Sequence, residues 1–217
     1  MNDLIQHSIS GNSFLLSGNR CVFWEEEKAL ILSDLHLGKT GHFRKSGIAV
    51  PQTVFKEDMQ RLIAQVQYFK PSSLIVVGDL FHSHANKELG LFLKWRSDFP
   101  GLLIHLVIGN HDILEKSWYQ SAGIDCCHHS LKIGEFVFTH DISTHAKTSG
   151  PYIFSGHIHP SVKINGLGKQ SFRLPCFYFG KEYAVLPAFG RFTGMHSIEP
   201  EKGSNVFALV NQKVMRV

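Results

Sequence analysis

Three apolar, β-branched stretches in the first half of the chain end abruptly in acidic or imidazole side chains. Ala29 to Ser33 runs into Asp34-Leu35-His36, Leu74 to Val77 into Gly78-Asp79-Leu80-Phe81-His82, and Ile104 to Ile108 into Gly109-Asn110-His111-Asp112. Continuous apolar runs of this length read as strands buried on both faces, so the polar residues emerge where strand gives way to loop. Between the first two runs, Phe55, Met59, Leu62, Ile63, Val66 and Phe69 recur at helical spacing, which predicts a helix over Thr53 to Phe69 stopped by Pro71. A weaker helical pattern, interrupted by Gly90, spans about Lys87 to Phe99 and closes at Pro100-Gly101. A third, fainter one covers Ile113 to Ser121. An opening hairpin is expected from Cys21 to Trp24 and Ala29 to Ser33 across Glu25-Glu26-Glu27-Lys28.

Beyond Ser121 the texture changes to short alternating strands: Cys127 to Ile133, Glu135 to Thr139, Tyr152 to Ser155, Phe172 to Phe179, Tyr183 to Leu186, Val206 to Val210 and Lys213 to Val217. β-α units followed by β-rich units predict an α/β chain of two stacked sheets flanked by helices, with the ligand-bearing loops gathered along one edge. A length of 217 residues suits one domain, 1–217, and no repeat or low-complexity linker divides it. Met1 to His7 has neither a basic n-region nor an apolar h-region, and no apolar run is long enough to span a bilayer, so a cytoplasmic location without membrane contact is expected. Four cysteines without CxxC spacing imply reduced thiols. A net charge of +4 permits an anionic partner without naming one. Gly38 to Pro51 and Thr144 to Pro151 read as loops. Lys39, Arg44 and Lys45, in the first, are candidates for phosphate contact and equally for a solvated surface cluster. The oligomeric state is not legible.

Two later runs, Thr139-His140 and Gly156-His157-Ile158-His159, complete a set of oxygen and imidazole donors without sulfur. Such a set favours manganese, iron or zinc over a structural thiolate zinc and does not choose among the three. The i, i+2 spacing of Asp34 with His36, and of His157 with His159, puts each pair on one side of an extended backbone. Two divalent ions about 3.5 to 4 Å apart can hold a phosphate between them and activate the water that attacks it. Asp79 is the candidate shared carboxylate. Asp34, His36 and one late histidine would complete the first ion; Asn110, His140 and another late histidine would complete the second. His111 is the candidate proton donor to the leaving oxygen, a role that contributes on the order of a hundredfold to ten-thousandfold, and His82 could orient it or touch the scissile phosphate. Any one of these runs alone is an ordinary turn or cap; all five in order are what carry the metal reading. Cys126-Cys127-His128-His129 reads as structural, because adjacent residues of a strand face opposite ways. Phe189, Arg191 and Phe192 could stack on bases, but core packing suits the two rings better.

In this order the blocks resemble the calcineurin-like metallophosphoesterase superfamily, whose motifs are D-x-H, G-D, G-N-H-D/E, H and G-H-x-H; the match covers residues 29 to 160. The resemblance implies a four-layer α/β/β/α sandwich in which Asp34, His36 and His159 hold the first metal, Asp79 bridges, and Asn110, His140 and His157 hold the second. His128, His129 and His145 compete with His140 for the fourth block, and His140 is preferred because it follows an apolar strand. Gly78 to Ser83 looks like the corresponding run in double-strand-break repair nucleases of the superfamily, where the histidines matching His82 and His111 act together in catalysis; the long accessory region of those nucleases is missing here.

Leu35 to Lys39, His42 to Ile48 and Leu186 to Gly194 resemble the bacterial ligase-associated DNA-damage-response metallophosphoesterases, found beside an ATP-dependent DNA ligase, a helicase and an exonuclease. The resemblance implies a binuclear phosphodiesterase using two divalent ions, Mn2+ first with Fe or Zn compatible, and acting as a DNA endonuclease in repair. Arg191 joins Arg44 and Lys45 as a candidate substrate contact. A phosphoesterase of small molecules, such as a cyclic nucleotide, nucleotide pyrophosphate or phosphomonoester, is the alternative. A non-catalytic scaffold in a ligase or helicase complex ranks last, since His111 and every expected ligand are present.

Overall fold

Alternation along the strands decides the layering. In β4 (Ala29–Leu32), Leu30 and Leu32 face one buried cluster while Ala29 and Ile31 face another, and in β5 (Ser73–Val77) Leu74 and Val76 part from Ile75 and Val77 in the same way. Strands buried on both faces belong in the interior of a layered fold. The computed structural model describes residues 4–39, 53–82, 87–144, 150–166 and 170–217.

The first sheet runs in the order β1 (Leu4–Ile9), β2 (Asn12–Ser17), β3 (Cys21–Trp24), β4, β5, β6 (Leu103–Val107), β7 (Ile124–Cys127). Neighbours are antiparallel from β1 to β4 and parallel from β4 to β7. The helices α1 (Thr53–Phe69), α2 (Lys87–Asp98) and α3 (Lys116–Ser121) lie in the crossovers between the parallel strands. Their apolar residues, among them Met59, Leu62, Val66, Phe92, Trp95 and Tyr119, pack on the outer face of this sheet.

The second sheet holds β8 (Leu131–Ile133), β9 (Phe136–Thr139), β10 (Tyr152–Ser155), β11 (Pro160–Asn165), β12 (Ser171–Phe179), β13 (Tyr183–Val185), β14 (His196–Ser197), β15 (Asn205–Val210) and β16 (Lys213–Arg216). The long β12 pairs with β11 along its first half and with β13 and β15 along its second. Between the sheets lie Phe14, Phe136, Phe138, Phe154, Phe177 and Phe179, all but fully buried. Each contributes about 1.5 to 3 kcal/mol by leaving water. Phe14 meets Trp24, Phe136 and Phe154 at ring distances of 5.5, 5.2 and 5.1 Å. The outer face of the second sheet carries a smaller cluster of Cys176, Tyr178, Val185 and Val206 under Ile158, Val162 and Ile198.

The expected stacked pair of mixed sheets is the architecture found, with three differences of detail. The opening hairpin is β1–β2, and β3–β4 follows it. The stretch Cys127 to Ile133 is not one strand: β7 ends at Cys127 in the first sheet, the chain crosses at the exposed His128-His129-Ser130, and β8 begins the second. β11 and β14 also form where no strand was expected. The four cysteines carry free thiols. No described helix is long and apolar enough to cross a membrane.

Candidate metal centre

Parallel strands end on the same side, so β4, β5 and β6 deliver Asp34 with His36, Asp79, and Asn110 with His111 to one edge. β9 and β10, also parallel, deliver His140 and the pair His157 and His159 from the second sheet. A backbone bond from Gly156 N–H to the His140 carbonyl, 3.1 Å, ties those two loops together.

Five of the candidate ligands take the left-handed backbone region: Asp34 (φ 54°), His36 (51°), Asp79 (53°), His157 (69°) and His159 (49°). Each such residue with a side chain costs of order 1 to 3 kcal/mol, and such outliers gather at functional sites. Hydrogen bonds hold them in place: Asp34 N–H to Gly78 O (3.1 Å), His36 N–H to Asp79 O (2.8 Å) and His157 N–H to Asp34 Oδ2 (3.1 Å). Two glycines make room. A Cβ on Gly109 would lie 2.2 Å from Asp79 Oδ1, and one on Gly156 would lie 1.8 Å from Ser33 Oγ and 2.6 Å from Asp34 Oδ2.

The donor atoms converge around two buried carboxylates. His159 Nε2 lies 3.3 Å from Asp34 Oδ1, and His36 Nε2 lies 3.9 Å from that oxygen and 3.7 Å from Asp79 Oδ2. His140 Nε2 meets the same oxygen, Asp79 Oδ2, at 3.5 Å, and lies 3.1 Å from Asn110 Oδ1 and 3.1 Å from His157 Nδ1. The Nδ1 atoms of His140 and His159 face carbonyls, Val77 O at 3.2 Å and Gly194 O at 3.1 Å, which turns their Nε2 atoms toward the cluster. Burial drives the His36 imidazole down to about 3, against the pull of Asp34 and Asp79. Burial also opposes the charge on His140, but the hydrogen bond and charge of Asp79 outweigh it and raise His140 to about 9. Asp79 is affected the opposite way: burial would raise it, but the His140 bond and charge, the His111 N–H and His36 bring it to about 2.

These residues fit a divalent metal. Asp34 Oδ1 and both ring nitrogens of His36 are buried without a hydrogen-bond partner, and a cation would take up the carboxylate oxygen and the one imidazole nitrogen that bears a lone pair. Asp34, His36 and His159 form one group with mutually close donor atoms, and Asp34, Asp79 and His140 form another. His111 lies against the same carboxylate, its backbone N–H on Asp79 Oδ1 at 2.9 Å. The His82 and His111 rings are 4.3 Å apart, and both contact His36, at 5.4 and 5.2 Å.

The remaining expectations fall elsewhere. Arg44, Lys45 and His145 lie outside the described residues, and His128 and His129 are exposed at the crossing between the sheets. Arg191 reaches Glu57 Oε2 at 3.5 Å and borders a cleft with Arg20 and Arg61. Phe189 is fully buried in the core. Sequence reasoning gave no role to two supporting residues. Asp112 accepts N–H bonds from Asp79 (2.8 Å) and Gly109 (2.9 Å) on Oδ2 and from Phe81 (3.0 Å) on Oδ1. Ser33 Oγ lies 2.5 Å from Asp34 Oδ2 and 2.7 Å from Val77 O, with one proton to give to either. Asp112 closes the Gly109-Asn110-His111-Asp112 run and could have been suspected; nothing local marks Ser33.

A family profile described as calcineurin-like phosphoesterase matches residues 27–175. Among solved structures, a Pseudomonas putida nuclease, MPE, is similar at 24% identity over 99% of this chain and 100% of its own, with a TM-score of 0.84. YfcE, a phosphoesterase from E. coli, is similar at 14% identity over 87% of this chain and 97% of its own, with a TM-score of 0.44. No curated protein matches. The first of these structures shows a shared fold. The profile spans more than half of the 217 residues and includes all five ligand-bearing runs, and on that ground the chain belongs to the calcineurin-like phosphoesterase family of metal-dependent hydrolases.

Proposed function

We propose that the protein is a binuclear metal-dependent phosphodiesterase that cleaves DNA in a repair setting. The observation that carries this is the convergence of imidazoles from both sheets, His36 and His140, on Asp79 Oδ2. Asp34, His36 and His159 would hold one ion, Asn110, His140 and His157 the other, and Asp79 both. Mn2+ suits this oxygen and imidazole set, as do Fe and Zn. Paired cations here would neutralise charge on the phosphate and make water acidic enough to serve as nucleophile near neutral pH.

The chain's own residues would do the rest. His111, fixed through its backbone N–H on Asp79, presents its ring beside the cluster and would give a proton to the leaving oxygen. His82, in ring contact with it, would set its orientation. DNA as substrate is supported by the repair-family motifs Leu35 to Lys39 and Leu186 to Gly194 and by the fold shared with a protein described as a nuclease. A DNA ligase, a helicase and an exonuclease are the partners this reading would give it, in the cytoplasm. The test is hydrolysis of single-stranded and nicked DNA by the Mn2+-loaded protein, set against small phosphoesters. We expect DNA cleavage, lost in Asp79→Asn and reduced roughly a hundredfold to ten-thousandfold in His111→Ala with metal content kept. Efficient hydrolysis of a small ester with DNA left intact would overturn the DNA assignment.

A further inference from the structure

A concentration of positive charge lies on the same edge of the first sheet as the carboxylate and imidazole cluster. β3 runs antiparallel to β4, so the β2–β3 turn that carries Arg20 sits at the end of the sheet where β4 delivers Asp34. At the usual interstrand spacing the offset is roughly 5 to 10 Å across the sheet. There a cleft of about 420 Å³ is lined by Asn19, Arg20, Arg61, Arg191 and Gln212, with no acidic side chain in its wall. A neighbouring cleft of about 560 Å³ shares Asn19, Arg61, Arg191 and Gln212 and carries Glu57 in its wall.

Three guanidiniums share two carboxylates, Asp58 on Arg61 (2.8 Å) and Glu57 on Arg191 (3.5 Å). Arg61, 8% exposed, bonds Asp58 Oδ1 at 2.8 Å and the Phe189 carbonyl, yet its Nε is buried without a partner. Arg20 bonds the carbonyls of Ala188 and Gly190, both at 3.2 Å, and forms no ion pair among the described residues. Burial first, then repulsion from Arg61 and Arg191 against the pull of Asp58, brings Arg20 down to about 10. Three arginines against two carboxylates leave an excess of positive charge that an anion would offset. Arginine forks and side-chain amides are the donors that hold a phosphate.

We propose that this arginine cleft is a second phosphate-binding site, taking a phosphate of a nucleic-acid strand whose scissile diester lies at the metal cluster. The assignment of a strand rests on the function proposed above; the binding of phosphate does not. The cleft and the cluster share a segment of chain: Arg20 holds Ala188 and Gly190, while Phe189 N–H bonds Ser33 O (2.7 Å) and Gly190 N–H bonds Asp34 O (3.0 Å).

The test titrates Mn2+-loaded protein with inorganic phosphate by calorimetry and compares the parent with Arg191→Ala, whose side chain is 44% exposed and so puts folding at little risk. Two phosphates per chain are expected in the parent, with one weakened roughly tenfold in the variant and restored in part by Arg191→Lys. In kinetics, Arg191→Ala should raise KM for a single-stranded oligonucleotide roughly tenfold more than for bis(p-nitrophenyl) phosphate, which carries one phosphate. A single phosphate per chain in the parent, or equal KM changes on both substrates, would overturn the site. If the parent cleaves no oligonucleotide, the DNA reading fails by itself, and the calorimetry still decides whether the cleft binds phosphate.

Discussion

Asp112 fixes three backbone N–H groups from two separate loops, those of Asp79 and Phe81 and that of Gly109, and so sets where the shared carboxylate and the His111 loop stand. In Asp112→Asn an amide N–H₂ must replace one accepting oxygen and confront a backbone donor. Such a buried mismatch costs about 1 to 3 kcal/mol. Because it acts on the support of the ligands, metal affinity should fall about 10- to 100-fold. Calorimetric Mn2+ titration checks this, and affinity equal to the parent's would refute the positioning role. The residues that meet at the cluster stood out in the sequence because each follows an apolar run, and Asp34 with His36 and His157 with His159 also pair at i, i+2. The support was not: whether an acid accepts N–H bonds from Gly109 and, 31 and 33 residues earlier, from Phe81 and Asp79 depends on tertiary placement alone.

Elements reach the site through turns that tolerate almost no added volume. The loop after β10 passes so close to Ser33 and Asp34 that Gly156→Ala must push His157 and His159 away from them. Overpacking of this kind costs about 1 to 3 kcal/mol. We expect a lower melting temperature and fewer than two Mn2+ ions per chain, measured by scanning calorimetry and metal analysis; a fully loaded variant would show that the loop has slack.

β1 presents a different case. Its His7 packs across the sheet interface on Phe179 and Phe207, at ring distances of 4.4 and 5.5 Å. Burial, then the charge of Arg216, hold this imidazole below its usual value. The unfolded chain then takes up the proton more readily, so His7 costs nothing above the unfolded value of about 6.5 and weakens the fold as pH drops below it. His7→Gln should therefore gain stability relative to the parent between pH 7 and 5, by thermal denaturation; a difference independent of pH would contradict this. Apolar runs, continuous in β4 and nearly so in β5 and β6, made those strands readable, and helical spacing made α1 readable to the residue. β1, β2 and β11 escaped because they mix partly exposed polar residues with apolar ones and lie toward the margins of their sheets, where one-sided burial leaves a weaker pattern. The split of Cys127 to Ile133 escaped because a crossing between sheets leaves no local mark beyond His128-His129-Ser130.

For the molecule as a whole, the aromatic layer between the sheets holds two independent sets of parallel strand ends against each other. The first sheet supplies Asp34, His36, Asp79 and Asn110, and the second supplies His140, His157 and His159, so neither sheet completes the cluster alone. That β-α units precede β-rich ones in the sequence foretold two stacked sheets; which strand neighbours which, and that β12 bridges three partners, depends on long-range pairing. The central claim is that two cations share Asp79 at this junction. Anomalous scattering from crystals of the Mn2+-loaded protein measures it directly. Two manganese peaks about 3.5 to 4 Å apart with the Asp79 carboxylate between them are predicted; a single peak, or two peaks that do not share Asp79, would contradict the account.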